Sequence, residues 1–156
     1  MMGKTNAIRT LEARRVAHSV RTYAVDEGHL DAVSVAAGLG VEPERVFKTL
    51  VTRDPGGTIR VFCVPGPFEL DLRKAARTAG ARKIEMVRVA ELFELTGYLR
   101  GACSPIGMRR SYPTWIEESA LLFHRILVSA GQRGLQIEIA PQELGGLIEA
   151  RFADLV

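Results

Sequence analysis

Apolar residues recur along the chain with two different periods, and the switches between them predict the elements. Over Thr5–His18, Ile8 and Leu11 fall on one side among good helix formers, which predicts a helix. Val20–Val25 then reads as a strand. Asp31 is placed to cap a short helix ending at Gly38, and Pro43 opens a further turn, with Gly38 and Gly40 marking the break. Phe47–Thr52 and Ile59–Val64 are β-like and flank the turn signal Asp54-Pro55-Gly56-Gly57, a pattern that predicts a hairpin. Asp71 opens a helix closed by Gly80, a short strand follows near Ile84, and Ala90–Thr96 forms another helix stopped by Gly97. Strand candidates follow at Thr114–Glu117, Phe123–Ser129 and Leu135–Ile139, then a helix from Pro141 to about Arg151. Neighbouring hairpin-like strands mixed with helices predict an α+β architecture. With no linker, repeat or low-complexity segment, residues 1–156 read as a single domain.

Composition narrows the class. A chain of 156 residues with 47% hydrophobic residues can bury one sizeable core without staples. Its apolar runs, such as Val33 and Val35–Ala37 around Ser34, fall far short of the roughly 20 residues of a membrane span. Met1–Arg9 lacks the apolar stretch and cleavage site of a signal peptide, so a cytoplasmic location is expected and no membrane partner. Cys63 and Cys103 are expected to be free thiols, and His18, His29 and His124 are scattered, so neither a metal nor any other cofactor is expected.

The formal charge of +3 is a weak pointer to a polyanion, although arginines supply 17 of the 21 basic residues and a guanidinium fork suits phosphate. A coding bias toward arginine would give the same count. The clusters Arg14-Arg15, Arg73-Lys74, Arg82-Lys83 and Arg109-Arg110 read equally as solvated surface or as binding patches.

Three segments carry candidate chemistry. In Val46-Phe47-Lys48-Thr49-Leu50-Val51, strand alternation puts Val46, Lys48 and Leu50 on one face, and an ammonium there must snorkel to water, find polar partners or face a cavity. The loop Gly97–Gly107 holds three glycines and a proline, which lets backbone N–H groups approach a carbonyl, oxyanion or phosphate, or simply makes a tight connection. Val128–Gly134 is a turn between two strand candidates bearing a hydroxyl and a guanidinium, and an ordinary hairpin accounts for it as well.

Taken together and in this order, these segments resemble the YbaK family of aminoacyl-tRNA deacylases. The resemblance runs from Lys4-Thr5-Asn6-Ala7 through Phe47-Lys48-Thr49-Leu50, the Gly101–Pro105 loop with Ile106-Gly107, and Ser129-Ala130-Gly131, to Phe152-Ala153-Asp154. It implies a mixed, mostly antiparallel sheet curled toward a barrel and flanked by helices. It also implies cleavage of the ester between a wrongly attached amino acid and tRNA, a reaction needed because small amino acids differ by only about 1–3 kcal/mol in a synthetase pocket. The Gly101–Gly107 segment is similar to that of free-standing enzymes acting on Cys-tRNA(Pro), with alanine-specific prolyl-tRNA editing domains in the same family.

By the same resemblance Lys48 is the essential lysine, with Gly101 and Ser129 beside it in the catalytic set. Tyr23, Thr49, Ala102, Cys103, Ser104, Pro105, Gly107, Gly131 and Arg133 are expected around the substrate. Tyr23 reads equally as a packed strand aromatic, and Cys63, alternating with Val61 and Ile59, as core. In the family's cysteine-specific members the substrate's own thiol attacks its ester and leaves as a thiolactone, so no protein nucleophile is needed; no GxSxG elbow or Ser, His and Asp set is evident here. Expected partners are mischarged tRNA(Pro) and, weakly and transiently, prolyl-tRNA synthetase. One departure stands out: Gln136 occupies a position where close members commonly carry aspartate, which puts the amino acid specificity in question and makes Glu138 the residue that would have to compensate. A non-catalytic tRNA-binding module and a hydrolase of small esters are the competing readings.

Overall fold

The computed structural model describes residues 3–156. Helix α1 spans Asn6–Ala13, capped by Thr5, whose Oγ1 accepts from Ile8 N at 3.1 Å while donating to the Ala130 carbonyl at 2.5 Å. It stops well before His18 because Arg15 turns to a φ of 54° and Val16 N closes back on Leu11 O at 3.0 Å. Strand β1 covers Ser19–Thr22, short of the expected Val25. Asp31 caps α2, Ala32–Leu39, and the left-handed residue that ends it is Gly40 at φ 71° rather than Gly38. A 3₁₀ turn over Pro43–Arg45 leads into β2, Phe47–Arg53, which forms the expected antiparallel hairpin with β3, Ile59–Pro65.

Helix α3, Leu72–Ala79, runs between the Asp71 cap and Gly80 at φ 69°, and β4, Glu85–Met86, follows. Helix α4, Val89–Thr96, is stopped by Gly97 at φ 84°. Strand β5 is Thr114–Glu117; a 3₁₀ turn over Glu118–Leu122 then delays β6 to Ile126–Ser129. Strand β7 is Leu135–Ile139, and α5 covers Pro141–Leu147. Glu149, at φ 53°, ends that helix region before Arg151, and the released chain forms an unexpected strand, β8, at Arg151–Ala153.

The architecture is α+β, and among the described residues the strands make four antiparallel and two parallel pairings in two open sheets, where the resemblance implies a single sheet curled toward a barrel; no closed barrel forms among them. One is ordered β1-β7-β6 and the other β4-β2-β3-β5-β8. An isolated parallel bridge between Val46 and Leu127 links them. Strand β3 is central and buried on both faces, so its alternating sides feed two cores. Cys63 joins Phe47, Ile106, Ile116 and Ile137 in the larger one, whereas Phe62 and Val64 pack with Ala75, Ile84 and Trp115 beneath α3. A third cluster of Val35, Ala36, Val46 and Leu127 holds α2 where the sheets meet. That junction positions the site.

Candidate active site

At the junction lies a cavity of about 200 Å³. Strand β2 supplies Phe47, Lys48 and Thr49, β6 ends on Ser129, β7 gives Gln136, and the glycine loop adds Gly101 and Cys103. Leu30, Asp31 and Val35 close one side. Lys48 is half-buried, and its Nζ donates to the Gly66 carbonyl at 3.2 Å. Two of its three N–H donors have no protein partner among the described residues, so the ammonium is anchored yet still able to bind an incoming oxygen. Gly66 is required there. A Cβ on it would stand 2.8 Å from the Ala32 Cβ, and its N–H donates to Val46 O at 2.8 Å, fixing the acceptor for Lys48.

The other polar groups differ in how far they are satisfied. Ser129 is 9% exposed, and its Oγ accepts from Gly131 N at 3.1 Å. Gln136 is 5% exposed, and its Oε1 is buried without a hydrogen-bond partner among the described residues. An orphan carbonyl of this kind costs about 1–3 kcal/mol unless a ligand supplies the donor. Glu138 does not compensate for the missing carboxylate, because it is tied up at 2.8 Å by Arg45 and at 3.5 Å by Arg21. Hydrogen bonding from the Ser34 hydroxyl at 2.7 Å holds the Asp31 carboxyl below the usual carboxylate range, leaving an anion at the rim. Burial pushes the Cys103 thiol up to about 12, against a smaller opposing contribution from Thr96, and burial does the same to Cys63. Both thiols stay protonated near neutral pH, so neither is primed as a nucleophile.

Lys48, Thr49, Gly101, Cys103 and Ser129 thus come together around one space, and the remaining expected residues lie outside it. Arg133 braces the loop: Nε and one terminal nitrogen donate to the Arg100 carbonyl at 3.0 and 2.8 Å, and the other nitrogen pairs with Glu27 at 2.8 Å. Gly131 makes room for Tyr98, since a Cβ would lie 2.6 Å from the ring, whose hydroxyl donates to Ile106 O at 2.6 Å. Gly107 serves contact with α1, where a Cβ would meet the Asn6 backbone at 2.8 Å. Ser104 is fully buried and accepts from Ile106 N at 3.2 Å. Pro105 and Gly107 face a depression beside Thr10 and Arg14, and Ala102 turns toward Phe93 and Leu99. Tyr23 is a packed aromatic against α2. Sequence reasoning missed Gly66 and Tyr98, and saw Asp31 only as a helix cap. Of these, only Asp31 left a local signal.

Comparison with known proteins fixes the family. The model of the aminoacyl-tRNA editing domain matches residues 26–147. The chain belongs to the aminoacyl-tRNA editing domain family. A relative from Enterococcus faecalis, provisionally named Cys-tRNA(Pro)/Cys-tRNA(Cys) deacylase EbsC, is 45% identical over 97% of this chain and 93% of its own. A crystal structure of a provisionally assigned trans-editing enzyme for prolyl tRNA synthetase superposes with a TM-score of 0.83 at 28% identity, covering 99% of this chain and 98% of that one. Hypothetical protein APE2540 gives a TM-score of 0.88 over 97% of this chain and 99% of its own, and at 23% identity it shows the shared editing-domain fold alone.

Proposed function

We propose that this editing domain is a trans-acting deacylase that removes cysteine wrongly attached to tRNA(Pro), working in the cytoplasm in weak, transient association with prolyl-tRNA synthetase. The observation that carries the reading is the anchored ammonium of Lys48, with donors to spare, beside a small cavity whose one lining cysteine, Cys103, stays protonated near neutral pH. A site with a cation and no activated protein nucleophile suits a substrate that brings its own.

In that reaction the substrate's deprotonated sulfur attacks its ester carbonyl. The new S–C bond closes a thiolactone, the C–O bond to the terminal ribose breaks, and the ribose oxygen takes up a proton from solvent, which balances the one the thiol released to solvent. Negative charge builds first on the carbonyl oxygen and then on the departing oxygen, where the Lys48 ammonium stabilises it. The Gly101 backbone, at φ 80°, closes the same space without a side chain. The buried Gln136 Oε1 accepts a hydrogen bond from the substrate's α-amino group, satisfying the orphan carbonyl.

Cys-tRNA(Pro) and the same tRNA charged with S-methylcysteine or serine separate this chemistry from external hydrolysis. Rapid loss of the cysteinyl ester alone supports the reading; equal loss of all three points to an activated water and contradicts the thiol-assisted route. The neutral amide at Gln136 leaves one second reading, an alanine-specific deacylase of the same fold, because the resemblance has close family members carrying an aspartate there and the buried Gln136 Oε1 gives the cavity a different polarity.

A further inference from the structure

Two basic dipeptides that are separate in the sequence, Arg73-Lys74 and Arg82-Lys83, converge in the fold. Helix α3 carries Arg73 and Arg77 one turn apart on its exposed side. Past Gly80, Ala81 N donates to Ala76 O at 2.8 Å and folds Arg82 and Lys83 back beside that helix. The four cations border a groove of about 480 Å³ floored by Leu72, Ala76, Ala81 and Ile84. All four are exposed, and among the described residues none forms an ion pair. Arg21, Arg45, Arg53, Arg60 and Arg133, by contrast, each pair with a carboxylate. Lys74 is turned away, held by Asp154 at 3.0 Å and by the Val156 carbonyl. The nearby Asp71 carboxylate is committed to the backbone N–H groups of Arg73 and Lys74.

Four unpaired cations on one small concave surface repel one another, and a polyanion relieves that repulsion. We infer that this groove binds the phosphate backbone of the tRNA acceptor arm. The inference rests on the reading of the Lys48 cavity as a tRNA-editing site. Guanidinium forks match phosphate oxygens, and a recessed apolar floor between cations fits a rod-like strand better than a flat surface. The distance is suitable as well. Ile84 immediately precedes β4, which pairs with Thr52 and Arg53 of β2. Those residues lie about 13–17 Å along the strand from Lys48, a span of a few nucleotides. The groove therefore takes phosphates a few nucleotides from the terminal adenosine.

The test is binding rather than turnover: uncharged tRNA(Pro) is titrated into the parent, Arg77→Gln/Arg82→Gln and Arg77→Glu/Arg82→Glu, between about 50 and 200 mM salt. The glutamate pair is expected to weaken binding about tenfold or more at the lowest salt, the glutamine pair less, and the slope of log Kd against log salt should fall by about 2. Both variants should keep the parent's thermal midpoint, since the side chains are exposed. Binding and slope equal to the parent's in the glutamate pair overturn the inference. So does a parent that binds anionic phosphatidylglycerol vesicles through these residues while its tRNA affinity ignores them. A parent that binds tRNA through the groove and never cleaves a mischarged one leaves this surface standing and removes only the deacylase reading.

Discussion

Lys48 owes its position to one acceptor, the Gly66 carbonyl, which leaves two of its donors without a protein partner among the described residues. Cys103 lines the same cavity, yet burial pushes its thiol up to about 12, so it stays protonated near pH 7. Cys103→Ala is therefore expected to keep kcat close to the parent's in a deacylation assay, and a collapse of kcat would make the thiol a nucleophile. Gln136 offers a sharper test of the cavity's polarity. Gln136→Leu removes the buried Oε1 acceptor and is expected to raise KM about tenfold, the value of one hydrogen bond, with kcat little changed. An unchanged KM would mean that the carbonyl never meets the substrate.

Gly131, at φ 94°, lets the turn after β6 lie against the Tyr98 ring, and Tyr98 in turn ties the glycine loop to Ile106. Gly131→Ala is expected to destabilise the fold by roughly 1–3 kcal/mol, read by urea unfolding, because both the backbone strain and the ring contact oppose a Cβ. Elements whose ends are set by neighbouring residues were legible in the sequence: Asp31 and Asp71 as caps, Gly80 and Gly97 as stops, and the Asp54–Gly57 turn of the hairpin. The ends of α1 and α5 were not, because Arg15 and Glu149 take positive φ without being glycines. Strand β8 was hidden for a different reason. Its pairing with β5 joins Phe152 to Ile116, so nothing local encodes it. The candidate site divides in the same way. Lys48 announced itself as a cation on an apolar face, while Gly66 reaches it only through the turn after β3, and Arg133 and Gly107 lie in recognisable motifs yet brace the loop instead of lining the cavity.

At the scale of the molecule, the cavity sits where two open sheets are joined by the Val46–Leu127 bridge, so its shape depends on both cores at once. Two thiols are buried in that arrangement, with pKa values raised from 9.0 to about 12. The folded state holds those protons more tightly than the unfolded chain does. Their contribution to stability is complete below pH 9 and is lost as pH rises toward 12, by on the order of 1 kcal/mol per pH unit for each thiol. Urea unfolding at pH 8 and pH 10 should show that loss, and the Cys63→Ala/Cys103→Ala protein should show less of it; identical profiles would contradict the burial argument. The central claim is tested most directly by following ester loss from Cys-tRNA(Pro), Ala-tRNA(Pro) and Pro-tRNA(Pro) with the parent and with Lys48→Ala. Preferential loss of the cysteinyl ester by the parent, absent in Lys48→Ala, is the predicted result; no hydrolysis of any ester by the parent, or full activity without Lys48, would contradict it.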